Sequence, residues 1–231
     1  KDWIIENTSF NENFGHASIS LYPHEYLVKT LSSSFNTGIK PFLSNKNLKV
    51  LEIGAFGANN IRFLWEKGFT EIYGLEISES LVNLCREKAY IFSDGGISKN
   101  NIVLGSNLEI PFDDNFFDLI ISVNTIHYSI GNEIEQALCL WRRKLKDNGR
   151  IFVETAGPQH DFLLNSKRIS EHEWIWGEKS GFRDGKPAGF FDNEEHWRST
   201  LSRLFNKVSI GRITEKSECN TVDFLTALCV K

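Results

Sequence analysis

The stretch that most constrains this chain runs from Lys49 to Asn60 and reads KVLEIGAFGANN. It opens with a short apolar run, which is typical of a buried strand. It then turns over small residues, including Gly54 and Gly57, and continues into a helical pattern. A strand, a glycine-containing turn and a helix bring backbone N–H groups against a ligand. The stretch therefore predicts the first strand–turn–helix unit of an α/β sheet, with a binding site at its turn.

An acidic residue follows at a spacing that suits a cofactor. Glu76 closes the next apolar run, 19 residues after Gly57, and a carboxylate at such a position can bind ribose hydroxyls. The nicotinamide and flavin fingerprint G-x-G-x-x-G is not satisfied, because Phe56 and Asn59 occupy its second and third glycine positions. A tight turn that binds no ligand stays open as the alternative.

The order of acid, glycine-rich turn and second acid resembles the class I methyltransferases that depend on S-adenosylmethionine (SAM). Their pattern is D/E-x-G-x-G-x-G, and the run from Glu52 to Ala58 keeps the acid and the first glycine, with Phe56 as a bulky departure. The resemblance implies that this turn approaches the methionine part of SAM and that Glu76 binds the ribose. The cofactor-binding residues that it implies here are Glu52, Gly54, Ala55, Phe56, Asn59, Glu76 and Ile77.

Two later motifs extend the resemblance. Residues 105–112, GSNLEIPF, are similar to the family's G-D-A-x-x-L-P-F, whose acid binds the adenine amino group. Ser106 stands in the place of that acid, and the neighbouring Asn107 is the alternative, with Leu108 beside them. Residues 143–149, RKLKDNG, are similar to the family's R-x-L-K-P-G-G helix ending, so Gly149 is expected to release the helix. Asn124 is expected to complete the cofactor site.

The alternation of strands and helices predicts a doubly wound, Rossmann-like α/β fold. Its sheet has seven mostly parallel strands and a C-terminal antiparallel β-hairpin. The predicted strands are 49–53, 71–76, 101–104, 118–123, 150–155, 207–213 and 222–230, and the predicted helices are 59–67, 78–91, 131–146 and 193–205, with another after Pro23. We expect a single domain with an N-terminal lid (1–47), a SAM-binding core (48–154), a substrate-cap insertion (155–191) and a C-terminal helix and hairpin (192–231).

The candidates for catalysis are two histidines. A hydroxyl acceptor must lose a proton, and histidine accepts protons near neutral pH. His127 ranks first because it follows the fourth strand, and His160 ranks second because it follows the fifth. Histidines held in the core by hydrogen bonds are the open alternative. No metal site is predicted. The substrate-binding candidates are an aromatic wall of Tyr22, Tyr128, Trp174 and Trp176, and Arg183 for a phosphate or carboxylate.

Composition limits the classes of partner. A net charge of −4 argues against a broad nucleic-acid surface, and no apolar run has the 18 or so residues of a membrane span. Cys85, Cys139 and Cys229 lie in apolar patterns and no cysteines form a C-x-x-C pair, which predicts buried free thiols in the cytoplasm. The oligomeric state stays open.

The expected function is transfer of a methyl group from SAM to a small polar molecule. A hydroxyl of a sugar, glycan or nucleotide-linked precursor is favoured, because residues 22–25, YPHE, resemble the Tyr-Pro-x-Glu segment of bacterial methyltransferases associated with surface polysaccharides. A natural-product or amine N-methyltransferase is one alternative. A non-catalytic SAM-binding module is another, because Phe56, Ala58 and Ser106 depart from the family pattern.

Overall fold

The computed structural model describes residues 22–33, 42–177 and 183–231, and its elements alternate between helix and strand. The described part of the lid is limited to residues 22–33 and 42–47. In chain order the elements are α1 Glu25–Ser32, β1 Val50–Ile53, α2 Asn59–Glu66, β2 Ile72–Glu76, α3 Glu79–Ser93, β3 Ile102–Leu104, β4 Phe117–Val123, α4 Glu133–Lys144, β5 Leu145–Ala156, α5 Asp161–Leu164, β6 Lys167–Ser170, β7 Glu173–Ile175, β8 Pro187–Ala188, α6 Glu194–Ser202, β9 Lys207–Lys216 and β10 Thr221–Val230.

Seven strands form the main sheet in the order β3-β2-β1-β4-β5-β10-β9. The pairs among β1 to β5 are parallel, whereas β10 is antiparallel to both β5 and β9. The predicted fold class is confirmed. β1 lies at the centre, between β2 and β4, so the turn after β1 opens at the edge where several parallel strands end.

The central strands β1 and β4 are buried on both faces, and their alternating side chains pack into two separate cores. Leu51 and Ile53 pack on one face with Trp141 of α4 and Trp197 of α6. Val50 packs on the other face with the apolar sides of α1, α2 and α3. This double cover explains the continuous apolar runs of the sequence, because a strand with only one buried face alternates apolar and polar residues.

One helix ends close to its predicted bound, and another ends earlier. α3 ends at Ser93, two residues beyond the predicted bound at 91, and Asp94 adopts the left-handed conformation. α4 ends at Lys144 rather than 146, because Leu145 is already extended and begins β5. Asn148, with φ of 61°, makes the left-handed turn that was assigned to Gly149.

The insertion contains more structure than its sequence indicated. β6, β7 and β8 form a small antiparallel sheet of their own. The side chains of Trp176 and Phe190 lie in a third hydrophobic core. Short strands that pair across a long loop leave little periodicity in the sequence, which is why no strand was predicted between 155 and 207.

Two predictions from composition concern the burial of the cysteines and the presence of membrane-spanning helices. Cys85 and Cys229 are buried free thiols, but Cys139 is exposed on α4, so its prediction was wrong. The apolar neighbours of Cys139 point to the core, and the cysteine itself lies on the outer side of the helix. Among the described helices, none is both long enough and apolar enough to cross a lipid bilayer.

Asp223 of β10 joins the hairpin to the start of the insertion. Its side chain is fully buried and accepts hydrogen bonds from Arg212 Nε at 2.8 Å, Arg212 Nη2 at 3.0 Å, Thr214 Oγ1 at 2.7 Å and the Gln159 backbone N–H at 2.8 Å. Burial favours the protonated form, but these donors outweigh it and hold the pKa of Asp223 below its usual value.

We predict that Asp223→Ala lowers the free energy of unfolding by about 3 kcal/mol, because it leaves several donors unpaired. The depressed pKa means that this stabilisation is present at neutral pH and is lost as the pH falls below 3.8, the usual Asp value. Urea denaturation at pH 7 measures the loss. Glu215→Ala, an exposed acid on the paired strand, should change stability by less than about 0.5 kcal/mol. Equal effects of the two variants would contradict the prediction.

Candidate active site

A cavity of about 720 Å³ lies at the carboxyl ends of the parallel strands. Ligands of open parallel sheets bind at this edge. Its walls come from the turns after β1 to β5, from the start of α1, and from the insertion and β10. Of the predicted site residues, those that line the cavity are Glu52, Gly54, Phe56, Asn59, Glu76, Ile77, Ser106, Asn107, Asn124, His127, Tyr128, His160 and Arg183.

The turn after β1 is tightly constrained. Gly54 has φ of 76°, and a Cβ at this position would lie 2.3 Å from Thr125 Oγ1, so only glycine fits. Gly57 does not have a positive φ; Phe56 and Ala58 do, at 34° and 58°. Two non-glycine residues therefore hold left-handed angles that usually favour glycine, a kind of strain that clusters at ligand sites.

Glu76 ties the end of β2 to this turn. Its carboxylate accepts hydrogen bonds from the Phe56 N–H at 2.6 Å and from the Ile77 N–H at 3.2 Å. Burial raises the pKa of Glu76 to about 7, although both backbone donors act against the rise. The bulky Phe56 therefore contacts Glu76 through its backbone N–H. A glycine at the same position would supply the same donor.

Glu52 is the second buried acid of the site. It is 2% exposed, and Asn60 Nδ2 donates to its Oε1 at 2.6 Å. Burial, together with the nearby charge of Glu76, raises the pKa of Glu52 to about 8, against the hydrogen bond from Asn60. Glu52 therefore carries a proton at neutral pH in the protein without ligand.

The turn after β3 presents one acceptor to the cavity. Ser106 Oγ accepts a hydrogen bond from the Leu108 N–H at 3.3 Å, so this oxygen already has a partner within the turn. Asn107 donates through Nδ2 to Ser129 Oγ at 2.9 Å, and its Oδ1 is buried without a hydrogen-bond partner. Of the two residues weighed for the adenine amino group, Asn107 has the available acceptor. Leu108 lies outside the cavity lining and packs against the core.

Other predicted cofactor residues differ in their placement. Ala55 is buried behind the turn and does not line the cavity. Asn59 lines it and donates through Nδ2 to the Tyr22 carbonyl at 2.7 Å. Asn124, with φ of 53°, presents a buried Oδ1 without a hydrogen-bond partner.

A contact that the sequence did not predict joins the residue before α1 to β5. His24, which precedes α1, lies with Nδ1 3.1 Å from Oε2 of the fully buried Glu154 of β5. Its backbone N–H donates to Asn60 Oδ1 at 2.8 Å. Burial lowers the pKa of His24, but the hydrogen bond and the charge of Glu154 outweigh the effect of burial. The pKa of His24 is therefore raised. His24 and Glu154 are 130 residues apart, and no spacing in the sequence links them.

The two candidate catalytic histidines lie in different environments. His127 is 3% exposed, and burial, with the charges of Arg183 and His160 adding to it, lowers its pKa to about 3. Its ring is neutral at every physiological pH. Burial also lowers the pKa of His160, while the acids Asp161 and Asp223 act in the opposite direction.

The predicted aromatic wall is only partly present. Tyr128 lines the cavity, and its hydroxyl accepts a hydrogen bond from Arg183 Nε at 2.9 Å. Trp176 is 1% exposed and stands behind the wall, with its ring edge-on to His127 at 5.7 Å. Trp174 packs into the third core, and Tyr22 is 77% exposed outside the cavity lining.

Comparison with known proteins explains this geometry. Residues 51–153 match a family model described as a methyltransferase domain. The matched segment makes up 103 of the 231 residues. It covers β1 to most of β5, which carry the turns that hold Gly54, Glu76 and Asn107. The match ends before the insertion, so it does not extend to Asp161, Asn165 and Arg183 of the cavity wall.

Curated relatives and a solved structure extend the comparison. Demethylmenaquinone methyltransferase of Bacillus subtilis is 33% identical over 92 residues, which are 38% of this chain and 36% of that protein. Phosphoethanolamine N-methyltransferase of Plasmodium falciparum is 28% identical over 160 residues, 65% of this chain and 54% of that protein. The chain therefore spans less than two thirds of the length of these relatives.

Among solved structures, phosphoethanolamine N-methyltransferase 2 of Haemonchus contortus in complex with SAM is similar, with a TM-score of 0.70 and 14% identity. The alignment covers 100% of this chain and 59% of that one. At this identity the similarity establishes the class I methyltransferase fold.

We predict that the protein without ligand loses stability as the pH rises, and that Glu52 causes much of the loss. A raised pKa means that Glu52 stabilises the fold fully below 4.5 and that this contribution is lost by about pH 8. Glu52→Gln keeps the acceptor for Asn60 but cannot ionise, so the difference in unfolding free energy between pH 5 and pH 8 should shrink by on the order of 3 kcal/mol. Denaturation at both pH values measures it. Glu218→Gln, at an exposed position, serves as control, and an unchanged pH dependence in Glu52→Gln would refute the assignment.

Proposed function

We propose that this protein transfers the methyl group of SAM to a small polar acceptor. The observation that carries the proposal is the lining of one cavity, which combines the acids Glu52 and Glu76 and Asn107 with two histidines, Tyr128 and Arg183. We assign the first group to a cofactor end and the second group to an acceptor end. SAM supplies a methyl group on a positively charged sulfur, so the protein's task is to hold and align the two reactants.

At the cofactor end, each role rests on a group that faces the cavity. Glu76 accepts hydrogen bonds from ribose hydroxyls, Asn107 Oδ1 accepts one from the adenine amino group, and the Gly54 turn admits the methionine part. The pKa of Glu76 near 7 means that a hydroxyl donor has a carboxylate to bind through much of the physiological range. Glu52, Asn59, Ile77 and Asn124 complete this end.

At the acceptor end, we favour a hydroxyl group of a sugar, glycan or nucleotide-linked precursor. The cavity lining includes the polar side chains of Asn165, Asn220 and Thr221 as well as Arg183. His127, with a pKa of about 3, binds the acceptor as a neutral hydrogen-bonding ring and does not take its proton. His160, which has nearby acids that favour its protonated form, takes the proton from the hydroxyl. Arg183 neutralises a phosphate or carboxylate on the acceptor.

An amine acceptor is the second candidate. Asp161 lines the cavity beside His160, and a carboxylate can hold an ammonium group before it loses its proton. The similarity to phosphoethanolamine N-methyltransferases favours the same chemistry. In that case Arg183 would bind the acceptor's anionic group and Asp161 its amine. A SAM-binding module without catalysis is the third reading, and the absence of turnover with any acceptor would support it.

The segments outside the core receive roles in the same proposal. The start of α1, held by the His24–Glu154 pair, closes the cofactor end as a lid. The insertion, which supplies Asp161, Asn165 and Arg183, forms the substrate cap. The free thiols suit a reducing compartment such as the cytoplasm.

We predict that SAM binds to the purified protein and that Glu76→Ala weakens its binding by about 1–3 kcal/mol, because a hydrogen bond to a charged group is lost. Calorimetric titration with SAM and with its demethylated product measures the affinity. Glu71→Ala is the matched control, since Glu71 precedes β2 and lies exposed at the opposite end of the same strand. If the folded protein binds neither ligand, the proposal fails.

We also predict that His160→Gln lowers kcat by about 100-fold or more and leaves the affinity for SAM unchanged. A general base acts in its neutral form, so wild-type kcat should rise with pH and level off below 6.5, the ordinary histidine value. The variant should lose this rise. A radiolabelled methyl-transfer assay across sugars, nucleotide sugars and phosphorylated amines supplies the acceptor.

The control for this prediction is Gln159→Ala, which removes the adjacent exposed side chain and keeps the backbone donor to Asp223. A pH profile that follows the pKa of an amine acceptor, with no effect of His160→Gln, would favour the amine reading over the hydroxyl one.

A further inference from the structure

Two histidines and a glutamate meet outside the cavity, where the insertion touches α6. Glu171 and His172 form the turn between β6 and β7, and His196 lies in the first turn of α6. Each offers one ligand atom, and these atoms all lie within 4.8 Å of one another. The two imidazole rings stack with centroids 4.4 Å apart and planes 17° apart. None of the three residues lines the cavity.

His172 is buried and presents a lone pair without a partner. The residue is 4% exposed, and its Nδ1 lies 3.2 Å from the Phe190 carbonyl oxygen. A carbonyl only accepts, so Nδ1 carries the hydrogen. With Nδ1 donating to this carbonyl, Nε2 is the ring nitrogen that is left to bind a metal ion. That atom is buried with no hydrogen-bond partner. A buried polar atom left unpaired costs about 1–3 kcal/mol, so a native site usually has a reason for one.

His196 is oriented from its other side. Its Nδ1 lies 3.3 Å from Asp192 Oδ2, and Asp192 is itself paired with Arg168 at 3.0 Å. Its Nε2 lies 3.3 Å from Glu171 Oε1. Metal-binding histidines commonly donate their second N–H to a carboxylate or a backbone carbonyl. His172 has the carbonyl of Phe190 for this purpose. At His196 the Asp192 carboxylate can accept from Nδ1, which also lies 3.4 Å from the Asp192 backbone N–H.

The spacing suits a small tetrahedral ion. Two ligands about 2.0–2.1 Å from a tetrahedral zinc ion lie about 3.4 Å apart, close to the 3.3 Å between His196 Nε2 and Glu171 Oε1. The side chain of Glu171 is 72% exposed, so it has room to adjust as the ligands converge. An ion pair between Glu171 and a protonated His196 is the alternative, but it leaves His172 Nε2 unpaired.

We propose that Glu171, His172 and His196 bind a divalent transition-metal ion, with zinc as the preferred ion. The ligands are Nε2 of both histidines and the Glu171 carboxylate, and water completes a tetrahedron. Two imidazoles and a carboxylate suit this class of ion and do not suit magnesium or calcium, which prefer oxygen ligands. The ion joins the β6–β7 turn to α6, and so anchors the insertion to the C-terminal part of the sheet.

The test is a titration of tag-free, chelator-treated protein with zinc chloride by calorimetry, and with cobalt chloride by visible absorption. We expect one ion per chain at micromolar or lower Kd, a rise in Tm with zinc, and the d–d bands of tetrahedral cobalt. Glu171→Gln should weaken binding at least tenfold and should fold normally, because Glu171 is exposed. His172→Gln should also weaken zinc binding at least tenfold. Glu195→Gln, an exposed acid beside His196 in α6, is the matched control and should bind as wild type.

Two outcomes would overturn the proposal. One is the absence of zinc binding to the folded wild-type protein, or equal binding by wild type and Glu171→Gln. The other is cobalt bound only through the exposed thiols of Cys139 or Cys219, which a thiolate charge-transfer band would reveal. SAM affinity is measured in parallel, so failure of the metal site leaves the methyltransferase proposal untouched.

Discussion

The parallel pairing of β1 with both β2 and β4 is the constraint on which the rest of the structure depends. It brings the turns after these three strands to one edge of the sheet. Gly54 and Thr125, which follow β1 and β4, then approach so closely that a single methyl group on Gly54 would collide with Thr125. The cavity exists because neighbouring strand ends splay into turns at this edge, and its shape follows from how tightly those turns pack.

Buried acids give this edge its chemical character. Glu52 and Glu76 sit in a poorly solvated region, and burial raises the pKa of each. Glu76 is the better prepared to carry charge, because two backbone N–H groups already point at its carboxylate. Glu154 is also buried, and His24 Nδ1 lies 3.1 Å from its carboxylate. These three buried acids therefore differ in the groups that hydrogen-bond or pair with them.

The acceptor end has the opposite character. Arg183 lies beside Tyr128 and helps to hold His127 neutral, so positive charge there resides on the guanidinium and not on the buried imidazole. Asp161, Asn165 and Arg183 come from the insertion, and Asn220 and Thr221 come from the closing hairpin, so these cavity residues lie outside the segment that matches the methyltransferase domain. The proposed acceptor end thus draws largely on parts of the chain beyond the matched segment.

The sequence by itself determined the class of fold, the order of its core elements and most of the cofactor edge. Apolar runs, a glycine turn and an acid at a set spacing are local signals, and the parallel sheet converts them directly into neighbouring strand ends. The contacts that only the tertiary structure decided join residues far apart in the chain: His24 with Glu154, His172 with His196, and Asp223 with Gln159. The different hydrogen bonds of Asn107 and Ser106 and the contact of Trp176 with His127 belong with them. Burial and hydrogen-bond partners set these properties, and both depend on which distant segments pack together, a quantity that residue spacing along the chain does not encode.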